Sequence, residues 1–290
     1  MSRRLVLPSP ALRPLVQFYA LLDENVPRSE QHAFLPEHTA HLTFHTGNSR
    51  VLGHDGRTTP LPTATLDGLV TAPTSLVSEG PVRALRAELY PWAARLLFGW
   101  RYPEAPLELL GGAAGPRNSS AARAIQAALA AHDDEAALGL LDGWLLGLLA
   151  ERVWTPGVGV RAAVQLYPVG GKVGEPVKMA ELAEELGVST RTLERQFLQE
   201  VGIGAKTLSR LIRFEAAYNT LSSAPQTPLA SLAYDTGFAD QAHLTREFRA
   251  LGGLTPGHLA RLAGERMQPE FAGSEFLEDN PRLLLPVLPG

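Results

Sequence analysis

Apolar and polar residues change their period along this chain, and the changes divide it. From Met1 to about Leu110 helical periodicity is poor and short alternating runs recur between prolines and glycines. His41-Leu42-Thr43-Phe44-His45 alternates with period two, as a half-buried strand does. Gly47-Asn48-Ser49 then reads as a turn before a second run, Arg50 to His54. Ala64 to Val70, Ser75 to Glu79 and Val82 to Tyr90 are further strand candidates, and many short strands with Gly/Pro turns predict a small barrel or sandwich. From Asn118 the period becomes helical. Ser119 or Ser120 is expected to cap an alanine-rich helix ending near Ala131, and Glu135 to Arg152 continues as a second helix. That helix carries Leu138, Leu141, Trp144, Leu145, Leu148 and Leu149, either packed back on the strands or forming a dimer seam. The leucines hold no strict heptad.

Between Met179 and Leu262 one pattern is written twice. Leu182-Ala183 and Gly187 recur fifty residues on as Leu232-Ala233 and Gly237, whereas Leu193, Phe197 and Gly202 recur fifty-one residues on as Leu244, Phe248 and Gly253. The one-residue slip falls in the turn. An internal repeat of this kind fixes the architecture more firmly than any single motif. Each copy predicts a short helix stopped by glycine, the residue that tolerates a left-handed helix end. A second helix follows, capped by Ser189 or Asp240. Leu193 with Phe197, and Leu244 with Phe248, stand four apart and bury one face. The opposite faces carry Arg191, Glu194, Arg195 and Leu198 in one copy, and Ala242, Thr245, Arg246 and Arg249 in the other. A helix anchored on one side, with arginines and small polar groups on the other, suits a major groove, where arginine forks onto guanine. Ala205 to Ser222 reads as a linker helix of about 25 Å, ended by Pro225 and Pro228. A stiff linker shorter than the ~34 Å between adjacent grooves implies bent DNA.

These residues carry a resemblance. From about Val158 to Leu262 the chain resembles the DNA-binding domain of the AraC/XylS transcription regulators, in Leu182-Ala183, Ser189, Leu193-Glu194-Arg195-Gln196-Phe197, Gly202, Arg213 and Glu215-Ala216. The likeness continues through Leu232-Ala233, Gly237-Phe238, Asp240-Gln241, Arg246-Glu247-Phe248, Gly253 and Thr255-Pro256. Leu244 and Gly252 stand where the family often has aromatics. The first part resembles the cupin-like sensor domain of one subgroup, in Arg13-Pro14-Leu15-Val16-Gln17-Phe18-Tyr19, Leu35-Pro36-Glu37-His38 and Leu42-Thr43-Phe44. The resemblance implies an α+β chain: a small cupin-like β-barrel with a helical segment, then an all-α domain of two helix-turn-helix units joined by a linker helix. The expected boundaries are 1–117 for the sensor, 118–156 for a helical connector and 157–266 for DNA binding, with an acidic then apolar tail at 267–290. Thr155-Pro156-Gly157 would serve as hinge, with Arg161 to Leu166 the first helix of the DNA-binding part and Val169 to Val177 its loop. The expected function is sequence-specific transcription regulation, with Thr190, Arg191, Glu194, Arg195, Gln241, Ala242, His243, Thr245, Arg246 and Arg249 at the DNA.

Composition narrows the alternatives. The 290 residues are 45% hydrophobic and 19% charged, ordinary for two globular domains. Without cysteine, disulfides, thiolate catalysis, thiolate zinc sites and cysteine-based sensing are excluded. No charge-free run of about 18 apolar residues and no signal-peptide layout appears, which predicts a cytoplasmic protein without a membrane partner. Net charge is −4. Residues 189–214 nevertheless carry Arg191, Arg195, Lys206, Arg210 and Arg213 against Glu194 and Glu200, so 5 − 2 gives +3 where phosphate contacts are needed. His32, His38, His41 and His45 cluster, yet no carboxylate follows at close spacing, so neither metal nor other cofactor is expected. His38, His41, Thr43 and His45 instead form a candidate effector-lining set at a barrel mouth. Trp92, Phe98, Trp100 and Tyr102 are expected as core and lid. Expected partners are double-stranded DNA, an unidentified small-molecule effector and RNA polymerase, with the protein a monomer or homodimer. The competing reading is a small-molecule-binding or metal-dependent cupin-like enzyme whose repeat serves as an interaction module; the regulator reading has no catalytic residues.

Overall fold

A computed structural model describes residues 2–53, 55–69, 74–100, 106–167 and 178–265. Tyr102, the loop at Val169–Val177 and the tail from Met267 lie outside the described residues. The chain divides into two compact units: Met1–Phe34, Thr39–Val70 and Thr74–Thr155 form one, and Leu35–His38, Thr71–Pro73 and Pro156–Gly290 the other.

The first unit is a seven-stranded antiparallel sheet with helices. Its strands are β1 (Ser2–Val6), β2 (Val16–Phe34), β3 (Ala40–Leu52), β4 (Thr58–Pro60), β5 (Ala64–Asp67), β6 (Thr74–Leu89) and β7 (Leu107–Glu108). They pair in the order β1-β2-β6-β3-β5-β7, with β4 added on β3. No pairing among the described residues joins β1 to β7, so the sheet is antiparallel without a closed ladder.

Two of the predicted breaks are absorbed inside strands. Gly47-Asn48-Ser49 is no turn: β3 runs through it, with a register shift between Thr46 and Asn48 and Gly47 at φ 94°. A glycine at positive φ inside a strand is the usual signature of a bulge, and a Cβ there would stand 2.4 Å from the Pro81 carbonyl. Likewise Ser75–Glu79 and the run from Val82 are one strand, β6, which ends at Leu89 and carries Gly80 at φ 81° where its partner strands shift register.

Helices α1 (Pro91–Phe98), α2 (Gly115–Ala130) and α3 (Asp134–Ala150) complete this unit. α2 begins a turn earlier than Ser119 predicts. Ser119 sits inside the helix and donates its hydroxyl to the Gly111 carbonyl, 3.2 Å away. Asp133 caps α3 by accepting from Ala136 N, 3.0 Å. The apolar side of α3 covers one face of the sheet, with Trp144 edge-on to Phe44 at 6.4 Å and to Phe98 at 5.5 Å. Asp142 accepts from the Tyr19 hydroxyl (2.9 Å) and from Ser9 N (2.9 Å). Burial and that carboxylate push the Tyr19 pKa far above the ordinary phenol value. Leu138, Leu141, Leu145 and Leu148 are buried in the same layer.

The second unit is helical: α4 (Val158–Val164), α5 (Met179–Glu185), α6 (Thr190–Val201), α7 (Ala205–Ser223), α8 (Leu229–Asp235), α9 (Gln241–Gly252) and α10 (Pro256–Glu265). Its core is the set the repeat predicts. Leu182, Ala183, Leu193 and Phe197 in one copy, and Leu232, Ala233, Leu244 and Phe248 in the other, are all at most 2% exposed. Among the described residues no helix is long and apolar enough to cross a membrane.

Candidate nucleic-acid interface

The repeat is reproduced down to individual hydrogen bonds. After α5, Gly187 at φ 68° lets Val188 N donate to Ala183 O at 2.9 Å. After α8, Gly237 at φ 73° lets Phe238 N donate to Ala233 O at 2.8 Å. Both are helix ends of the Schellman type, in which a left-handed residue returns a backbone N–H to the last turn. The longer helices end alike, Gly202 N donating to Leu198 O (3.1 Å) and Gly253 N to Arg249 O (3.2 Å). Between these matched ends lies the slip: two residues separate Gly187 from Thr190, and three separate Gly237 from Gln241.

The second helix of each copy opens on a working cap. Ser189 Oγ accepts from Thr192 N at 3.2 Å, and Asp240 Oδ1 accepts from His243 N at 2.6 Å. Such a bond satisfies one of the unpaired amides at a helix start. With the starts fixed, the outward faces follow from the helix period. On α6, Arg191, Glu194, Arg195 and Leu198 are exposed and Thr190 is half-buried. On α9, Gln241, Ala242, Arg246 and Arg249 are exposed, with His243 and Thr245 half-buried. His243 Nδ1 accepts from Ala239 N at 3.3 Å and its ring stands edge-on to Phe238, 5.4 Å away. Thr245 donates its hydroxyl to Gln241 O at 2.8 Å. Both side chains are thus held locally, while the arginines reach outward.

α7 joins the copies and is tied to the second. Arg213 donates to Gly237 O in the turn (3.0 Å), and its guanidinium lies 5.5 Å from the Phe238 ring centroid. Burial lowers the Arg213 pKa, Glu247 opposing the shift and Arg210 adding to it. Arg210 Nε pairs with Glu247 Oε2 on α9 at 2.7 Å. Phe214 packs on Phe248 at 4.9 Å, against the buried Gly252, where a Cβ would come within 3.1 Å of Phe214. The +3 balance predicted for residues 189–214 is therefore not an outward-facing charge, because Arg210 and Arg213 are engaged in binding α7 to its neighbours.

Two contacts that position α6 were not read from the sequence. Gly159 on α4 lies so close to α6 that a Cβ would stand 2.5 Å from Gln196 O. Glu200, at the far end of α6, accepts from Val160 N at 3.0 Å. It thereby supplies the cap that Gly157, without a side chain, cannot give to α4. The first helix of this unit starts at Val158, three residues before the expected Arg161, so that these groups meet. A lone glycine in a hinge-like Thr-Pro-Gly context carries no signal of such an approach.

The effector-lining candidates separate. His41 and His45 are buried on β3, with Thr43 half-buried between them, on the sheet face opposite Leu42 and Phe44. His41 Nε2 lies 3.1 Å from Glu88 Oε2, and Thr39 Oγ1 donates to the same carboxylate at 2.9 Å. Arg86 Nε is 2.8 Å from Glu88 Oε1. Cross-strand register explains the grouping, since His41 faces Glu88 and Thr43 faces Arg86. His45 Nε2 donates to Pro62 O at 3.1 Å, and burial lowers its pKa, opposed by nearby carbonyls and Asp67. His38 belongs to the helical unit, its Nδ1 2.6 Å from Glu215 Oε2 on α7. Of the aromatics, Trp92 is buried, donating to Pro14 O (2.9 Å). Trp100 is buried where a Cβ on Gly68 would overlap its ring, and Phe98 packs on Trp144.

A family model matches the part of the chain that carries the repeat. Residues 182–261 match the family described as a helix-turn-helix domain, and residues 4–105 match a domain of unknown function (DUF6597). The HTH-type transcriptional regulator GlxA of Rhizobium meliloti (strain 1021) is 32% identical over 118 residues, 41% of this chain and 36% of that protein. The match thus spans about a third of the length of that curated relative. A crystal structure of ToxT from Vibrio cholerae covers 84% of this chain and 98% of its own at 12% identity, with a TM-score of 0.49. The C-terminal domain of AraT, a response regulator from Geobacillus stearothermophilus, covers 41% of this chain and 93% of its own at 26% identity, with a TM-score of 0.35. The family match over residues 182–261 coincides with the two paired helix-turn-helix units, so this part of the chain is a helix-turn-helix domain.

Proposed function

We propose that this chain is a cytoplasmic regulator that reads two successive major grooves of double-stranded DNA, with α6 in one and α9 in the next. The carrying observation is the pair of capped helices, each buried by a Leu/Phe pair and each presenting arginines outward. Arg191 and Arg195 read base edges in the first groove with Glu194 beside them, and Thr190 meets the backbone at the helix start. Gln241, Ala242, His243, Thr245, Arg246 and Arg249 serve the second. The first part, 1–117, is the sensor, its sheet curling toward a small barrel; 118–156 connects and 157–266 binds DNA. A small polar effector lies against His41, Thr43 and His45, because that face is lined with hydrogen-bonding groups while the opposite one is filled by α3.

Fluorescence anisotropy tests the DNA reading. A duplex selected from a randomised library by the full chain is titrated at two salt concentrations. Arg191→Ala/Arg195→Ala should weaken binding by at least tenfold, since each bidentate arginine contributes about 1–3 kcal/mol. Equal binding by the wild type and this variant would remove α6 from the groove.

A further inference from the structure

Residues Leu35–His38 belong to the helical unit although they connect β2 to β3 in the chain. Their attachment is specific. His38 donates its backbone N–H to Glu215 Oε2 at 3.1 Å, and its Nδ1 meets the same oxygen at 2.6 Å. His38 is 6% exposed, and its ring stands edge-on to Tyr167, 5.2 Å away and 69° inclined. Leu35 is also buried, near the place where Gly252 of α9 and Phe214 of α7 meet. A segment of four residues therefore grips the linker helix by a charge-assisted bond and an apolar plug. Charge-assisted bonds to a carboxylate are among the stronger ones a loop can make.

We propose that Leu35–His38 is a clasp that restrains α7 and holds the DNA-binding unit below its full affinity, with His38 and Glu215 as positioning residues. This rests on the DNA-reading function proposed above. β3 starts at Ala40, two residues after His38, and His41 and Thr43 of the proposed effector face follow at once. A ligand on that face shifts the start of β3 and, through the bend at His38 and Thr39 that leads into it, the clasp. α7 has 19 residues, about 28 Å at 1.5 Å per residue, against ~34 Å between adjacent grooves. Seating both recognition helices therefore bends the duplex about a rigid α7 and requires the turns at its two ends to settle against the DNA, and a restraint on the middle of α7 opposes that settling.

The test uses the full chain with His38→Ala, Glu215→Gln and the double variant, and two readouts: amide hydrogen exchange along α7, and affinity for a duplex recovered by the wild type from a randomised library. Each single variant is expected to speed exchange around residue 215 and to tighten DNA binding about fivefold, the factor one net hydrogen bond represents. The double variant should add little to either single, because each single already removes the charge-assisted bond between Nδ1 and the carboxylate. Additive effects, or weaker binding, would overturn the clasp. Faster exchange with unchanged affinity reduces the pair to local packing and also overturns it. If the wild type recovers no duplex, the DNA-reading function fails; the exchange arm still decides the grip, and unchanged exchange there refutes it.

Discussion

Replacing Gly159 by alanine isolates the close approach of α4 to the first recognition helix. The added Cβ would stand 2.5 Å from Gln196 O, 2.7 Å from Gln196 C and 2.8 Å from Phe197 Cα, where ordinary contact begins at 3.4 Å. All three atoms are α6 backbone, and the Phe197 side chain is fully buried, so relief requires moving one helix against the other. Overpacking of this kind costs about 1–3 kcal/mol, while alanine returns about 1 kcal/mol of helix propensity. With 0.9 Å of overlap against a carbonyl, the upper end applies, and a net loss of about 1–2 kcal/mol is expected. Gly143→Ala on α3 is the internal control. A Cβ there meets nothing within 4 Å, so the same chemical change should stabilise by about 1 kcal/mol. All four tryptophans, at 92, 100, 144 and 154, lie in the sheet unit. In urea unfolding, tryptophan fluorescence therefore follows the sheet unit alone, while far-ultraviolet circular dichroism, to which the helices of both units contribute, also registers the helical unit. Gly159→Ala should lower the dichroism midpoint and leave the fluorescence midpoint in place; Gly143→Ala should raise the fluorescence midpoint. If Gly159→Ala stabilises as Gly143→Ala does, the close approach is refuted.

Three further outcomes follow from the geometry. Asp240→Ala removes the bond to His243 N and should cost about 0.5–2 kcal/mol, read as a drop in the dichroism midpoint, with Asp240→Asn recovering most of it. Burial holds the His45 pKa below its ordinary value, so below about pH 6.5 the unfolded chain binds more protons than the folded one. Its contribution is present above that pH and is lost as pH falls toward the folded pKa, with a slope of up to about 1.4 kcal/mol per pH unit. The fluorescence midpoint should therefore fall on acidification, and a profile unchanged in His45→Gln would count against this origin. Finally, gel mobility of circularly permuted duplexes should show bending when both helices are engaged; straight DNA with both grooves protected would contradict the rigid linker.

The helical unit was largely legible because its signals are local and written twice. Leu193 with Phe197 and Leu244 with Phe248 mark the buried stripes, the glycines at 187, 202, 237 and 253 mark the ends, and Ser189 and Asp240 mark the starts. The sheet was less legible for a physical reason. Glycine at 47 and Gly80-Pro81 look like turns in one dimension, yet in a twisted antiparallel pair they are absorbed as irregularities within continuous strands. Arg210 and Arg213 add to the +3 balance of residues 189–214 in one dimension, because composition does not reveal which cations are engaged inside the fold. Gly159 and Glu200 act across 37 and 40 residues on partners that no periodicity names. Glu215, quoted with the family pattern, shows its partner His38 only in three dimensions.

The bond between His38 and Glu215 spans 177 positions of chain, which has a consequence for synthesis. At about 5–20 residues per second, a ribosome that has just added His38 takes roughly 10–35 s to reach its partner. Every strand of the sheet is made before that, since β7 ends at Glu108, and so is the whole of α3. The apolar Leu35 and the imidazole beside it are therefore left over from a nascent domain whose other pairings are already available, and they stay open to chaperones or to neighbouring chains on the same message until α7 emerges. A truncation ending after α3 would keep that patch permanently, so the sheet unit made alone is expected to be more prone to association than the intact chain.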